Sequence, residues 1–285
     1  MITVVSSRRD ILRVALGGAG LLGLSACGMG GVTTTGPPVT GTSPTAPSPV
    51  RTPTPDAPVR RVVALSSADL DVLLALDMNP TAAWAAEGTG PRPWRERPAP
   101  PSPDWGGPGL PSLRSLVPFG LDAFALAAAD VSESQLRGYE RLATVIIDPA
   151  GRPGWREHLE LVAEAADRDP GPAMAATSHA LDAWGRSQRE LGVASVVVVI
   201  ATGAGPDTPV ATLAADSPLG AEIRELGFDV LSRARPVPYR ELRGPGVQIL
   251  RVDPRDGDVV AAVRQPSVSN LHWLLDRLSR GRRPG

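Results

Sequence analysis

From Arg61 almost to the end of the chain, short apolar runs alternate with stretches whose apolar positions recur at helical spacing. Arg61–Leu65 (RVVAL) is a short apolar run, as a buried parallel strand requires. Ser66-Ser67-Ala68-Asp69 follows with the Ser-x-x-Asp spacing of a capping box. Leu70, Val72, Leu73, Leu74 and Leu76 then supply the apolar face of a helix, and Asp77–Pro80 ends it. Thr81–Ala86 predicts a second strand. Strand, capped helix and strand make a βαβ unit with a right-handed crossover. The alternation continues with a short helix over Leu113–Val117, a strand over Asp122–Ala127, a helix over Ser132–Leu142 and a strand over Thr144–Ile147.

Between residues 153 and 192 the pattern becomes purely helical. Leu159, Leu161, Val162, Ala165 and Ala166 sit at helical spacing, as do Met174, Ala175, Ala180, Leu181 and Trp184. Asp169-Pro170-Gly171-Pro172 divides the two sets. Proline in a helix interior costs about 3 kcal/mol and disfavours the helical conformation of the residue before it. A kink or break is expected there, with Pro172 able to open the second half.

Beyond the spine, Val193–Ala201 (VASVVVVIA) predicts a fully buried strand. Pro209–Leu213, the helix Asp216–Leu226, the stop at Gly227 and a strand over Phe228–Leu231 follow. Val247–Val252 and Val259–Val263 read as further strands, and Ser267–Ser279 as an amphipathic closing helix. The predicted fold is therefore α/β: two small lobes, residues 59–150 and 193–285, with mostly parallel sheets. A long connecting helix over residues 151–192, kinked at Asp169–Pro172, joins them.

The N-terminus changes the picture of where the protein works. Arg8-Arg9, the apolar run Val14–Leu24 and Ser25-Ala26-Cys27 form an export signal over residues 1–26. The arginine pair resembles a twin-arginine signal, and Leu24-Ser25-Ala26-Cys27 resembles a bacterial lipobox. Cys27 would become the acylated first residue of a mature lipoprotein on the outer face of the cytoplasmic membrane. Residues 27–58, rich in Pro, Thr and Ser, predict a disordered tether that reaches about 90 Å when extended. Cys27 is the one cysteine, so intrachain disulfides are excluded. A formal charge of −1 gives no reason to expect nucleic acid as a partner. All 29 basic residues are arginine, so any cation in a site is a planar, permanently charged fork.

Two clusters carry candidate binding chemistry. Glu87–Pro111 is crowded with Pro and Gly yet holds Arg92, Trp94, Arg95 and Trp105, with Trp84 just before it. Indole faces beside guanidinium forks suit a flat or anionic ligand. They serve equally well to pin a loop to its lobe. In the second half Arg233, Arg235, Tyr239 and Arg240 form a basic-aromatic counterpart, or a solvated loop. Thr202-Gly203-Ala204-Gly205 follows a strand, but Thr208 stands where a dinucleotide fingerprint needs its third glycine. His158, His179 and His272 are scattered without metal-ligand spacing, and no nucleophile motif is present. No metal, cofactor or catalytic residue is implied.

RVVALSSADLDVLLALDMNPTAAW and PSLRSLVPFGLDAFALAAADVSESQLRGYERLATVII resemble the helical-backbone (class III) substrate-binding lipoproteins of ABC importers, which take up ferric siderophores, haem or cobalamin. Gly120-Leu121-Asp122-Ala123-Phe124 stands where that family has a Pro-Asp-Leu-Ile strand. The resemblance covers residues 59–285 and implies a binding protein, not an enzyme, with its ligand in the cleft between the lobes. Parallel sheets bind beyond the carboxyl ends of their strands, which directs attention to Ser66, Ser67, Trp84, Arg92, Trp94, Arg95 and Trp105, faced by Arg233, Arg235 and Tyr239. A ferric siderophore as ligand, an ABC permease as partner and Glu241 as a docking carboxylate follow from the same resemblance. At the first-lobe docking position this chain has Arg114 instead. A non-transport lipoprotein using the fold as an interaction module, and a cobalamin- or haem-binding protein, are the alternatives.

Overall fold

The computed structural model describes residues 59–85, 88–100, 103, 105, 109–126, 131–147, 154–201 and 205–280. The expected leader, Cys27 and the tether lie outside the described residues.

The first lobe contains β1 (Val62–Ala64), α1 (Ser67–Ala75), β2 (Ala82–Ala83), α2 (Leu113–Leu116), β3 (Ala123–Ala125), α3 (Glu133–Glu140) and β4 (Thr144–Ile146). Its sheet has the order β2-β1-β3-β4, with every pairing parallel. The helices start where their side chains cap them. Ser66 Oγ accepts the Asp69 N–H at α1, and Ser132 with Gln135 completes a reciprocal capping box at α3.

The helical stretch is two helices, α4 (Trp155–Ala166) and α5 (Gly171–Glu190). The expected interruption at Asp169–Pro172 is a full break. Asp167 takes the left-handed conformation at φ 52° and closes α4, while Asp169 Oδ1 accepts the Gly171 N–H at 2.8 Å ahead of Pro172.

The second lobe contains β5 (Ser195–Ile200), β6 (Pro209–Thr212), α6 (Pro218–Glu225), β7 (Asp229–Val230), β8 (Val237–Pro238), β9 (Val247–Val252), α7 (Gly257–Arg264) and α8 (Leu271–Arg280). Central β5 pairs in parallel with β9 and β7 and antiparallel with β6, which pairs with β8. Val259–Val263, expected as a strand, is the body of α7. Asp256 Oδ1 accepts the Val259 N–H and caps that helix, and a five-residue apolar run does not by itself distinguish strand from buried helix. The closing helix begins at Leu271, because Ser267–Asn270 is a turn bonded to itself: Asn270 Oδ1 accepts the Ser267 N–H and Ser267 Oγ accepts the Asn270 N–H. β8 and the 3₁₀ turn Tyr239–Leu242 were not among the expected elements; Pro238 suits the end of the sheet.

The period of two along each buried strand sorts the core into layers. Val62 and Ala64 of β1, with Val196 and Val198 of β5, face a common core that also takes in Trp155, Leu159, Val162, Leu181 and Leu274. Val63 and Leu65 face an outer cluster with Phe124 and Tyr139, and Val197 and Val199 face a second one with Val210 and Leu242. Both sheets thus pack onto one shared helical layer. Among the described residues no helix is long and apolar enough to cross a membrane.

Candidate functional site

All strands of the first sheet point the same way, as do β5, β7 and β9 of the second. Ser66 follows the carboxyl end of β1 and Trp84 that of β2, whereas Arg233 and Arg235 follow β7. Ser66, Trp84, Arg233 and Arg235 therefore follow the carboxyl ends of strands in their own sheets. The side chains do different things there.

Ser66 is 3% exposed and donates to Asp69 Oδ2 at 2.6 Å. The other oxygen of Asp69 lies 2.9 Å from Nε2 of buried His158 on α4. The carboxylate thus stands between serine and histidine, which ties α1 to α4 and does not make a nucleophile–base pair. Ser67 is also buried, and its Oγ accepts from Arg95 at 2.7 Å.

The loop after β2 acts as a strap. Arg95 Nε donates to Asp71 Oδ1 at 2.6 Å, and Trp94 Nε1 donates to Asp71 Oδ2 at 3.0 Å. Asp71 Oδ2 also accepts Ser267 Oγ at 2.6 Å, from the turn that precedes α8. The Trp94 ring lies 4.9 Å from that of Trp273 on α8. Arg92 pairs at 2.7 Å with Asp258 in the first turn of α7. A first-lobe loop is thereby fastened to two second-lobe helices. Burial pushes the Asp71 carboxyl up, while Arg95, Ser267 and Trp94 pull against that rise.

Trp84 and Trp105 stay with the first lobe. Both pack on its outer cluster, where Trp105 donates to the Ala83 carbonyl and lies 5.5 Å from Phe119. In the second lobe the Arg233 N–H donates to Thr212 Oγ1 at 2.7 Å, which fixes the backbone and leaves its side chain exposed beside exposed Arg235. Arg240 pairs with Asp207, and Arg243 lies over the Tyr239 ring at 5.4 Å. Glu241 is exposed in the same 3₁₀ turn. Arg233, Arg235 and Tyr239 therefore form a basic edge, while Arg92, Trp94, Arg95, Ser66 and Ser67 are engaged inside the protein.

Asp71, Asp258, Ser267 and Asn270 were missed at the sequence level. One signal existed: α1 is buried all round from Ser67 to Leu73, so two aspartates within it must have partners. Among the described residues no group of His, Cys, Asp and Glu could hold a metal ion.

No protein-family model matches the sequence, and no curated protein is significantly similar to it. Solved structures do match. A periplasmic solute-binding protein from Mycobacterium smegmatis superposes with a TM-score of 0.60 at 15% identity, over 79% of this chain and 92% of its own. PiaA, an iron-uptake ABC transporter substrate-binding protein from Streptococcus pneumoniae, gives 0.59 at 12% identity, over 78% and 92% of the two chains. The complex of PiaA with ferrichrome gives 0.55 at 12% identity, over 80% and 96%. The fold is that of the ABC substrate-binding proteins. In open α/β sheets generally the crevice beyond the carboxyl ends of the strands is the usual place for a ligand; in the second lobe Arg233 and Arg235 follow the carboxyl end of β7.

Proposed function

We propose that this chain is an extracytoplasmic solute-binding lipoprotein of an ABC importer, which holds a ferric siderophore between its lobes, performs no chemistry on it and delivers it to a permease. The observation that carries this reading is the basic edge formed by Arg233, Arg235 and Tyr239 at the carboxyl end of the second sheet, in a fold shared with solute-binding proteins over nine-tenths of their length. Guanidinium forks complement the carboxylate, catecholate or hydroxamate oxygens of a ferric chelate. Trp84 and Trp105, half-buried on the first lobe, are the aromatic surface that lobe contributes in this reading. Glu241 is the docking carboxylate in this reading, residues 1–26 the export signal, Cys27 the acylated residue and residues 27–58 the tether.

Titration of the full chain with ferric siderophores, haem and cobalamin, followed by tryptophan fluorescence, tests the ligand assignment. Saturable quenching by a ferric siderophore is expected, weakened about tenfold or more when Arg233 and Arg235 are both changed to Ala. Quenching by none of the three classes would remove the importer reading. Membrane fractionation tests the anchor. Cys27→Ser is expected to move the protein from the membrane to the soluble fraction, and an unchanged distribution would rule out acylation at Cys27.

A second reading is a diverged lipoprotein that uses the fold to bind another protein. It is favoured by one observation: Arg92, Trp94, Arg95 and Ser67 bond to residues of the chain itself and fasten the lobes together. The same titration separates the two readings.

A further inference from the structure

Away from the carboxyl edges, a groove of about 610 Å³ runs between α5 and α8 with the start of β9 beneath it. Trp184 contributes to its wall from α5 and Trp273 from α8. None of the residues assigned to the inter-lobe cleft lines it.

Two glutamines border this groove where the hydrophobic pattern calls for apolar side chains. Gln248, Leu250 and Val252 are the buried face of β9, and the latter two belong to the shared core. Gln188 continues the buried stripe of α5 that runs through Thr177, Leu181 and Trp184, but whereas Thr177 Oγ1 donates to the Val268 carbonyl, Gln188 Oε1 finds no such partner among the described residues. Gln248 is 1% exposed and Gln188 4%. Among the described residues both amide atoms of Gln248, and Oε1 of Gln188, have no hydrogen-bond partner. An apolar side chain of the same size would avoid the cost of burying an unpaired amide, so each such group in a folded protein calls for a reason. Two of them at one groove call for a shared one.

The free groups define a complement. Gln248 Nε2 is a donor, while Gln248 Oε1 and Gln188 Oε1 are acceptors. Their counterpart is one carbonyl flanked by two N–H groups, the edge of a planar cyclic ureide such as a pyrimidine base. A carboxamide reads adjacent donor and acceptor atoms in pairs, and indole faces suit a flat ring. Asp276 at the rim is paired with Arg280 at 2.6 Å, so the groove presents no uncompensated charge to a neutral ring. We propose that the groove between α5 and α8 is a second small-molecule site, which binds a neutral planar ring bearing an N–H/C=O/N–H edge through Gln248 and Gln188. A bound ring reaches the covered amides by rotation of the flexible glutamine side chains into the groove.

The test uses the full chain, uracil, and N,N′-dimethyluracil as a ring of the same shape without the N–H donors. Uracil is expected to shift tryptophan indole N–H resonances saturably with a midpoint of about 1 mM, as a ring of its size allows. Dimethyluracil is expected to bind about tenfold more weakly or not at all. Gln248→Leu is expected to abolish the uracil response while melting at the parent temperature or above, because it removes an unpaired buried amide. The melting curve also establishes that the variant is folded. Equal responses to both rings, an unchanged response in Gln248→Leu, or no response to uracil would each overturn the site. A siderophore titration failing has no bearing on this outcome, since the two sites share no residue.

Discussion

Asp71→Ala is expected to cost about 3–5 kcal/mol of folding stability, the range seen when one partner of a buried ion pair is removed. Asp71 is fully buried, and the side chain of Arg95 is 2% exposed. Without the carboxylate, the guanidinium would remain in the interior with Ser67 as its remaining partner, and its Nη1 already has none among the described residues. The Trp94 indole N–H and the Ser267 hydroxyl would lose their acceptor at the same time. The loss reaches beyond one helix, because those donors come from the strap and from the turn before α8. Replacing both charges, as Asp71→Leu with Arg95→Met, should recover the part of the loss that comes from the stranded guanidinium, while the Trp94 and Ser267 donors stay unpaired. Urea denaturation of the two variants beside the parent measures both effects. A loss below about 1 kcal/mol for Asp71→Ala would mean that the network adds no more than an ordinary surface pair.

The second large effect depends on pH. Glu222 of α6 is 7% exposed, and its Oε1 lies 3.5 Å from the Trp155 N–H at the start of α4, where Gly154 has no side chain to cap the helix. Burial pushes its carboxyl from 4.5 up to about 7, and Glu225 and Glu157 push the same way. The Trp155 N–H and Arg156 oppose the rise. In the unfolded chain the group ionises near its ordinary value. Below pH 4.5 both states are protonated and the group exerts no penalty. As pH rises from 4.5 to 7 the unfolded state releases its proton first, so stability falls across that window and levels off above it. The full fall is at most about 3 kcal/mol. Glu222→Gln keeps the shape and the acceptor oxygen but cannot ionise. It should match the parent near pH 4 and exceed it by about 2–3 kcal/mol at pH 8. A difference between the two proteins that is the same at both pH values would show that Glu222 keeps an ordinary carboxyl.

The effects act at different places in the same frame. Asp71 joins the lobes through the strap, whereas Glu222 joins α6 of the second lobe to the first turn of α4. Two joints of this kind hold the lobes near one arrangement.

Local pattern carried the fold a long way. The capping serine at 66, the succession of strands and helices in the first lobe and the break before Pro172 all follow from residues within a turn or two of each other. Hydrophobic periodicity is a local quantity, so elements longer than one repeat could be read from it. It failed at Val259–Val263, where a run shorter than two helical turns suits either geometry and the Asp256 cap decided for the helix. Candidate site residues were harder. Arg233 and Arg235 stand at a sheet edge as a loop after a parallel strand should place them, whereas Trp94 and Arg95 are spent on Asp71.

The sequence by itself determined the alternation of strands and helices, the two-lobe order, the point where the spine breaks and the positions of the arginine and tryptophan clusters. Only the tertiary structure decided what those clusters do. Ser267 meets Asp71 across 196 residues, and Arg92 meets Asp258 across 166. Whether a buried or half-buried charge is satisfied from inside or left for a ligand depends on such distant partners, and no local spacing encodes them.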